Sequence, residues 1–164
     1  MIIVTGAAGF IGSNLIRDLT SKGIQVIAVD NLANGKKLKN IFKYPVVDFY
    51  DKDDFLSKIN NFEVNGNVEA LIHLGASSST TVWDGKYLLE NNYRYSIKLM
   101  DWCIQKGIHF IYASSASVYG LGETGFSVSK SLESPINPYA YFKTLFDNYV
   151  KNYINSNKEF QKIV

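Results

Sequence analysis

Sulfur and imidazole chemistry are nearly absent from this chain. Its single cysteine, Cys103, among 164 residues excludes a disulfide framework or a cysteine-built metal cluster. Its two histidines, His73 and His109, lie in or beside apolar strand-like runs, which reads as structural rather than ligating, so no metal site is expected. Charge of one sign is scarce too. Seventeen Lys and Arg against fifteen Asp and Glu leave +2, too small and dispersed a surplus to point to nucleic acid or a membrane surface. No apolar run reaches the length of a membrane span, and the apolar N-terminus opens a strand rather than a signal peptide. A reducing cytoplasm is the default compartment. There are no repeats or low-complexity stretches. At 46% hydrophobic residues, the composition suffices for one domain with a real core.

Short β-rich runs alternate with helical segments. Strands are read at Met1–Thr5, Gln25–Asp30, Val46–Phe49, Glu69–Leu74 and His109–Ser114. Helices are read at Phe10–Ser21, Asp53–Asn61, Lys86–Lys106 and Pro138–Tyr153. Strands that are apolar throughout and alternate with helices predict an α/β fold, a doubly wound parallel sheet covered on both faces.

Between the first strand and first helix lies Thr5-Gly6-Ala7-Ala8-Gly9-Phe10-Ile11-Gly12. Gly6, Gly9 and Gly12 permit a tight turn, close approach of a pyrophosphate and close packing of helix on strand. The phosphates would then meet the helix N-terminus. Asp30 ends the second strand, where an acidic residue binds an adenosine ribose, and alone it suggests NAD. Lys36, Lys37 and Lys52 follow, and cations there would suit the 2′-phosphate of NADP. The same lysines read equally well as solvated loop charges.

Tyr139 and Lys143 stand four apart after Pro138, a spacing that puts ammonium and phenol on one helix face. A free phenol titrates at about pH 10, and a nearby cation favours phenolate, toward use as a general base. Upstream, Ser114, Ser115 and Ser117 follow the His109 strand. Strand ends of this kind open onto the ligand crevice, so a hydroxyl there can bond a substrate oxygen while Tyr139 moves its proton. Serines after a strand also cap turns; with Tyr139 and Lys143 downstream the catalytic reading is preferred. The Gly75–Tyr87 stretch offers small and hydroxyl residues, and Asn91 lies one turn into the long helix. The last helix carries an apolar arc wider than one sheet contact needs, leaving room for a partner helix.

Gly6-x-x-Gly9-x-x-Gly12, Ser115 before Val118-Tyr119-Gly120, and Tyr139-x-x-x-Lys143 resemble the extended short-chain dehydrogenase/reductases, whose dinucleotide domain is a Rossmann fold. Within that group the chain is most similar to the ADP-L-glycero-D-manno-heptose 6-epimerases. That narrower likeness rests on residues 1–14, Val29-Asp30-Asn31-Leu32, Ser78-Ser79-Thr80-Thr81-x-Trp83-Asp84-Gly85-Lys86-Tyr87 and Asn91-Asn92-Tyr93. The resemblance implies Phe10 and Ile11 on the pyrophosphate, and Asp30, Asn31, Lys37 and Lys52 around the adenosine end. It places Leu74, Gly75, Ala76, Ser77, Ser78 and Asn91 along the cofactor. Tyr139 becomes the acid/base, Lys143 the holder of the nicotinamide ribose, and Ser115 the group orienting the reacting oxygen. The implied cofactor is NADP, with NAD possible; the implied partners are an ADP-heptose and a second copy of the chain. Sugar 4,6-dehydratases carry an Asp-Glu pair where Ala116 and Ser117 stand, which argues against dehydration. Phe142 stands before Lys143 where these enzymes often have Ser or Thr.

Phe160-Gln161-Lys162-Ile163-Val164 resembles the opening of a sixth strand, where a doubly wound sheet normally continues. The expectation is therefore a dinucleotide-binding domain over residues 1–164, truncated near that strand. A substrate domain, the family's second acid/base lysine and most sugar contacts would lie outside it. An open sheet edge exposes unpaired backbone, so this chain is predicted to self-associate. Sedimentation showing a monodisperse monomer that melts cooperatively would contradict that prediction.

Overall fold

A computed structural model describes residues 1–61, 64, 66–123, 125–157 and 162–164. They fall into two compact units: Met1–Gly75 with Lys98–Tyr112 and Lys162–Val164, and Ala76–Ile97 with Ala113–Gln161.

The first unit holds the sheet. Its strands are β1 (Ile2–Thr5), β2 (Val26–Asp30), β3 (Asp48–Asp51), β4 (Ala70–His73) and β5 (His109–Tyr112), all parallel, in the order β3-β2-β1-β4-β5. Strand order runs outward from β1 through β2 to β3 and reverses toward β4 and β5. The carboxyl ends of β1 and β4 are thus a topological switch point, where open α/β sheets bind ligands. The opening of a strand read at the C-terminus holds for the described residues: Ile163 bridges Phe110 in parallel, and Phe110 and Tyr112 donate to the carbonyls of Lys162 and Val164. Phe160 and Gln161 lie outside the described residues.

Side chains alternate across the sheet with period two. On one face Val4, Val26 and Ala28 join Ile16 of helix α1 (Phe10–Ser21) in a buried cluster with Ala7, Ala8 and Ile41. On the other, Ile3, Leu71 and Phe110 are in register and fully buried. Phe55 of helix α2 (Lys52–Asn60) stacks on Tyr50 and meets Trp102 edge-on at 6.2 Å. Burial on both faces explains why the strands read as continuous apolar runs.

Differences from the sequence reading are local. β3 begins at Asp48 rather than Val46, and residues Gly35–Asn40 of the lysine-rich loop form a 3-10 turn. The long helix is interrupted: α3 (Gly85–Leu88), a π-helical turn (Leu89–Arg94), then α4 (Tyr95–Lys106). Apolar periodicity does not register one turn widened by one residue, which is why the break was missed.

In the second unit, helix α5 (Pro138–Ser156) packs against the π turn, α3 and a 3-10 turn at Ala116–Tyr119. Asn137 caps it by accepting from the Ala140 N–H, and Pro138 occupies the first turn, where its missing N–H costs nothing.

Phe110 is the largest fully buried ring of the outer strands, shared by β4, β5 and the 162–164 segment. Phe110→Ala should lower the unfolding free energy by about 3–5 kcal/mol, read from urea denaturation midpoints.

Candidate active site and dinucleotide cradle

The glycine-rich turn is shaped by what cannot fit there. Gly6 has φ +68°, and a Cβ on it would lie 2.8–2.9 Å from the backbone of Leu74 and Gly75. A Cβ on Gly12 would lie 2.2 Å from the Gly6 carbonyl oxygen. Both positions therefore demand glycine, one to join the ends of β1 and β4 and one to seat α1 on the turn. The Ala7 N–H donates to the Val29 carbonyl, and the Ala8 N–H to Asp30 Oδ2 at 2.7 Å. The N–H groups of Phe10, Ile11 and Gly12 in the first turn of α1 have no intrahelical acceptor. They lie at the positive end of the helix dipole, beside side chains of Phe10 and Ile11 that are 84% and 63% exposed.

Asp30 is buried and fully engaged. Beyond Ala8, it accepts from the Asn31 N–H at 2.6 Å and forms an ion pair with Lys37. Asp51, nearby, is pulled two ways: desolvation raises its pKa, but N–H donors from Asp53 and Leu32 and the charges of Lys52 and Lys37 outweigh it, leaving the pKa below the usual value. Lys52 reaches Asp53 at 2.7 Å. At the end of β4, Thr5 Oγ1 bonds His73 Nδ1 at 2.7 Å and accepts from the Gly75 N–H. His73 thus has the structural role its apolar strand implied.

In the second unit Tyr139 and Lys143 lie one turn apart on α5, both buried. Lys143 Nζ donates to the Ala113 carbonyl at 2.7 Å. Desolvation draws the Lys143 pKa below the ordinary lysine value, and the charge of Asp147 opposes that fall. Ser115 caps the Ala116–Tyr119 turn by accepting from the Ser117 N–H at 3.2 Å. That bond uses a lone pair and leaves the hydroxyl proton available to a substrate oxygen, so capping and orienting are compatible.

Residues 2–164 match the NAD dependent epimerase/dehydratase family. The chain belongs to that family. Among solved structures it is similar to the ADP-L-glycero-D-manno-heptose-6-epimerase of Helicobacter pylori, with 28% identity and a TM-score of 0.79 over 93% of this chain and 50% of that one. It is similar also to the UDP-glucose 4-epimerase of Thermotoga maritima, solved with UDP-glucose, at 30% identity and TM-score 0.78 over 94% and 51%. The UDP-glucose 4-epimerase of Thermus thermophilus, solved with NAD, matches at 31% identity and TM-score 0.73 over 94% and 51%. The chain spans about half the length of these epimerases.

Within this epimerase/dehydratase chain, the structure brings Gly6, Gly9, Gly12, Asp30, Asn31, Lys37, Leu74 and Gly75 into the first unit around the β1 and β4 ends. Ala76, Ser77, Ser78, Asn91, Ser115, Tyr139 and Lys143 belong to the second. Among the described residues no cluster of three or more His, Cys, Asp or Glu is placed to hold a metal, and no helix is long and apolar enough to cross a membrane. Two residues escaped the sequence reading. Asn92, 1% exposed on the π turn, accepts from the Ser77 N–H at 2.8 Å and returns a bond to the Ser77 carbonyl at 3.0 Å. Asn91 donates to Asn92 Oδ1 at 3.0 Å. Asp147 lies one turn past Lys143. The only sequence signals were a polar pair inside a helix and an acid at the Lys143 face.

Asn92→Ala would leave both Ser77 backbone groups without their partner. It should destabilise the chain by about 1–3 kcal/mol and speed amide exchange at residues 76–78. Unchanged exchange there would show that the Asn92 clamp is dispensable.

Proposed function

We propose that this chain is the cofactor-binding half of a nucleotide-sugar epimerase that inverts C6 of ADP-D-glycero-D-manno-heptose through a 6-keto intermediate, using NADP. Its family and its glycine cradle support a dinucleotide: backbone approaches backbone at Gly6 and Gly12 with no room for a Cβ. The single observation that favours NADP is the state of Asp30. Its carboxylate is committed to the Ala8 and Asn31 N–H groups and neutralised by Lys37, so it repels a 2′-phosphate less than a free acid would. The heptose assignment is supported by the Trp83-Asp84-Gly85-Lys86-Tyr87 run, in which Trp83 is exposed and Asp84 caps α3 through the Tyr87 N–H.

A bound nicotinamide would supply reversible hydride chemistry at C6, with removal and return on opposite faces and no net redox change. Tyr139 takes the C6 hydroxyl proton as the general base. Lys143, buried one turn along α5, would bind the nicotinamide ribose. Ser115 donates its hydroxyl to the reacting oxygen. In the second unit Ala76, Ser77, Ser78 and Asn91 would line the cofactor, with Asn92 holding the Ser77 backbone. The second acid/base group and the sugar contacts are assigned to the other half of such a protein, and a homo-oligomer to the apolar face of α5. A UDP-sugar 4-epimerase is the second reading, favoured by the comparable likeness to the Thermotoga and Thermus enzymes.

Calorimetric titration of this chain with NADP⁺ and NAD⁺ should show tighter NADP⁺ binding, lost in Lys37→Ala. A preference for NAD⁺ would overturn the cofactor assignment. A protein carrying both halves, given ADP-D-glycero-D-manno-heptose, should invert C6 by NMR; inversion of UDP-glucose at C4 instead would establish the second reading.

A further inference from the structure

Lys143 and Asp147 are one helical turn apart on α5, and each grips one of two consecutive residues. Lys143 Nζ donates to the Ala113 carbonyl, and Asp147 Oδ2 accepts from the Ser114 hydroxyl. The two side chains are 5% and 6% exposed. A pair of anchors at this spacing sets the register of residues 113 and 114 on the helix, and with it the origin of Ser115. The second carboxylate oxygen of Asp147, Oδ1, is buried without a hydrogen-bond partner. A buried carboxylate so poorly bonded is costly unless a cation offsets it. The ammonium of Lys143, on the same face, is that cation.

We propose that Asp147 is the positioning residue of the acid/base station: its carboxylate holds Lys143 in its cationic form and fixes the 113–115 segment on α5. Desolvation works against that cation and Asp147 works for it. Other charged or titratable groups packed against α5 include Lys86 and Tyr87 on α3, Glu90, Tyr93 and Arg94 on the π turn, Tyr119, and Glu133, which pairs with Lys151 of α5. Glu90 and Arg94 pair with each other at the surface, and Asp147 is the charge that acts on Lys143. Lysine in its neutral form would give Tyr139 no electrostatic help, so losing Asp147 would narrow the pH range in which the pair works.

That catalytic consequence rests on the Tyr139–Lys143 reading above; the titration of Lys143 does not. The 164-residue chain is prepared with ¹³Cε-lysine, and the Lys143 signal is assigned by its loss in Lys143→Arg. In Asp147→Asn the Lys143 titration should move to lower pH, and Asp147→Glu should return it toward the parent. Circular dichroism of each variant confirms that it folds, and Asp147→Glu, which keeps the carboxylate, separates loss of charge from loss of structure. An Asp147→Asn titration that coincides with the parent overturns the proposal, as does an Asp147→Glu titration that stays with Asp147→Asn. Intact titrations with no cofactor binding would overturn the functional reading and leave the role of Asp147 standing.

Discussion

Backbone has to touch backbone where β1 and β4 end, and the rest of the first unit is arranged around that contact. The order of strands reverses between these two, so their carboxyl ends are left uncovered by a crossover connection. Gly6 turns the chain there in the left-handed region, and Gly75 closes on it from β4. Thr5 ties the two ends together by bonding both His73 and the Gly75 N–H. A side chain at Gly6 would push β4 away from β1; one at Gly12 would lift α1 from the turn. The exposed helix N-terminus and the reach of Ala8 to Asp30 accompany the same close approach.

Charge is handled alike in both units. Each buried carboxylate has a lysine for company: Asp30 is ion-paired with Lys37, and Asp147 lies one helical turn from Lys143. Such pairs add little net stability, because desolvation consumes most of the attraction. They hold groups in place. Asp30 fixes the glycine turn through the Ala8 N–H, and Asp147 holds Ser114 one residue before Ser115.

How much could be read from the chain varied with the range of the cause. α1 matches its expected bounds because Gly9, a helical apolar period and Gly23 mark it locally. β3 was displaced by two residues because its partner β2, not its own composition, decides which residues pair. The cradle glycines and the Tyr139–Lys143 spacing are local patterns and were visible. Asn92 and Asp147 were not, since their importance lies in Ser77 and Ser114, fifteen and 33 residues away.

The amino-acid sequence by itself determined the alternating α/β layout, the parallel sheet and the family, because apolar period and glycine spacing act over a turn or a strand. Only the tertiary structure decided that Asp30 is already neutralised by Lys37, that the long helix breaks into a π turn at Asn92, and that Lys143 is desolvated beside an under-bonded Asp147. Those facts depend on which side chains meet and how much water they lose, and neither quantity is written in the spacing of residues along the chain.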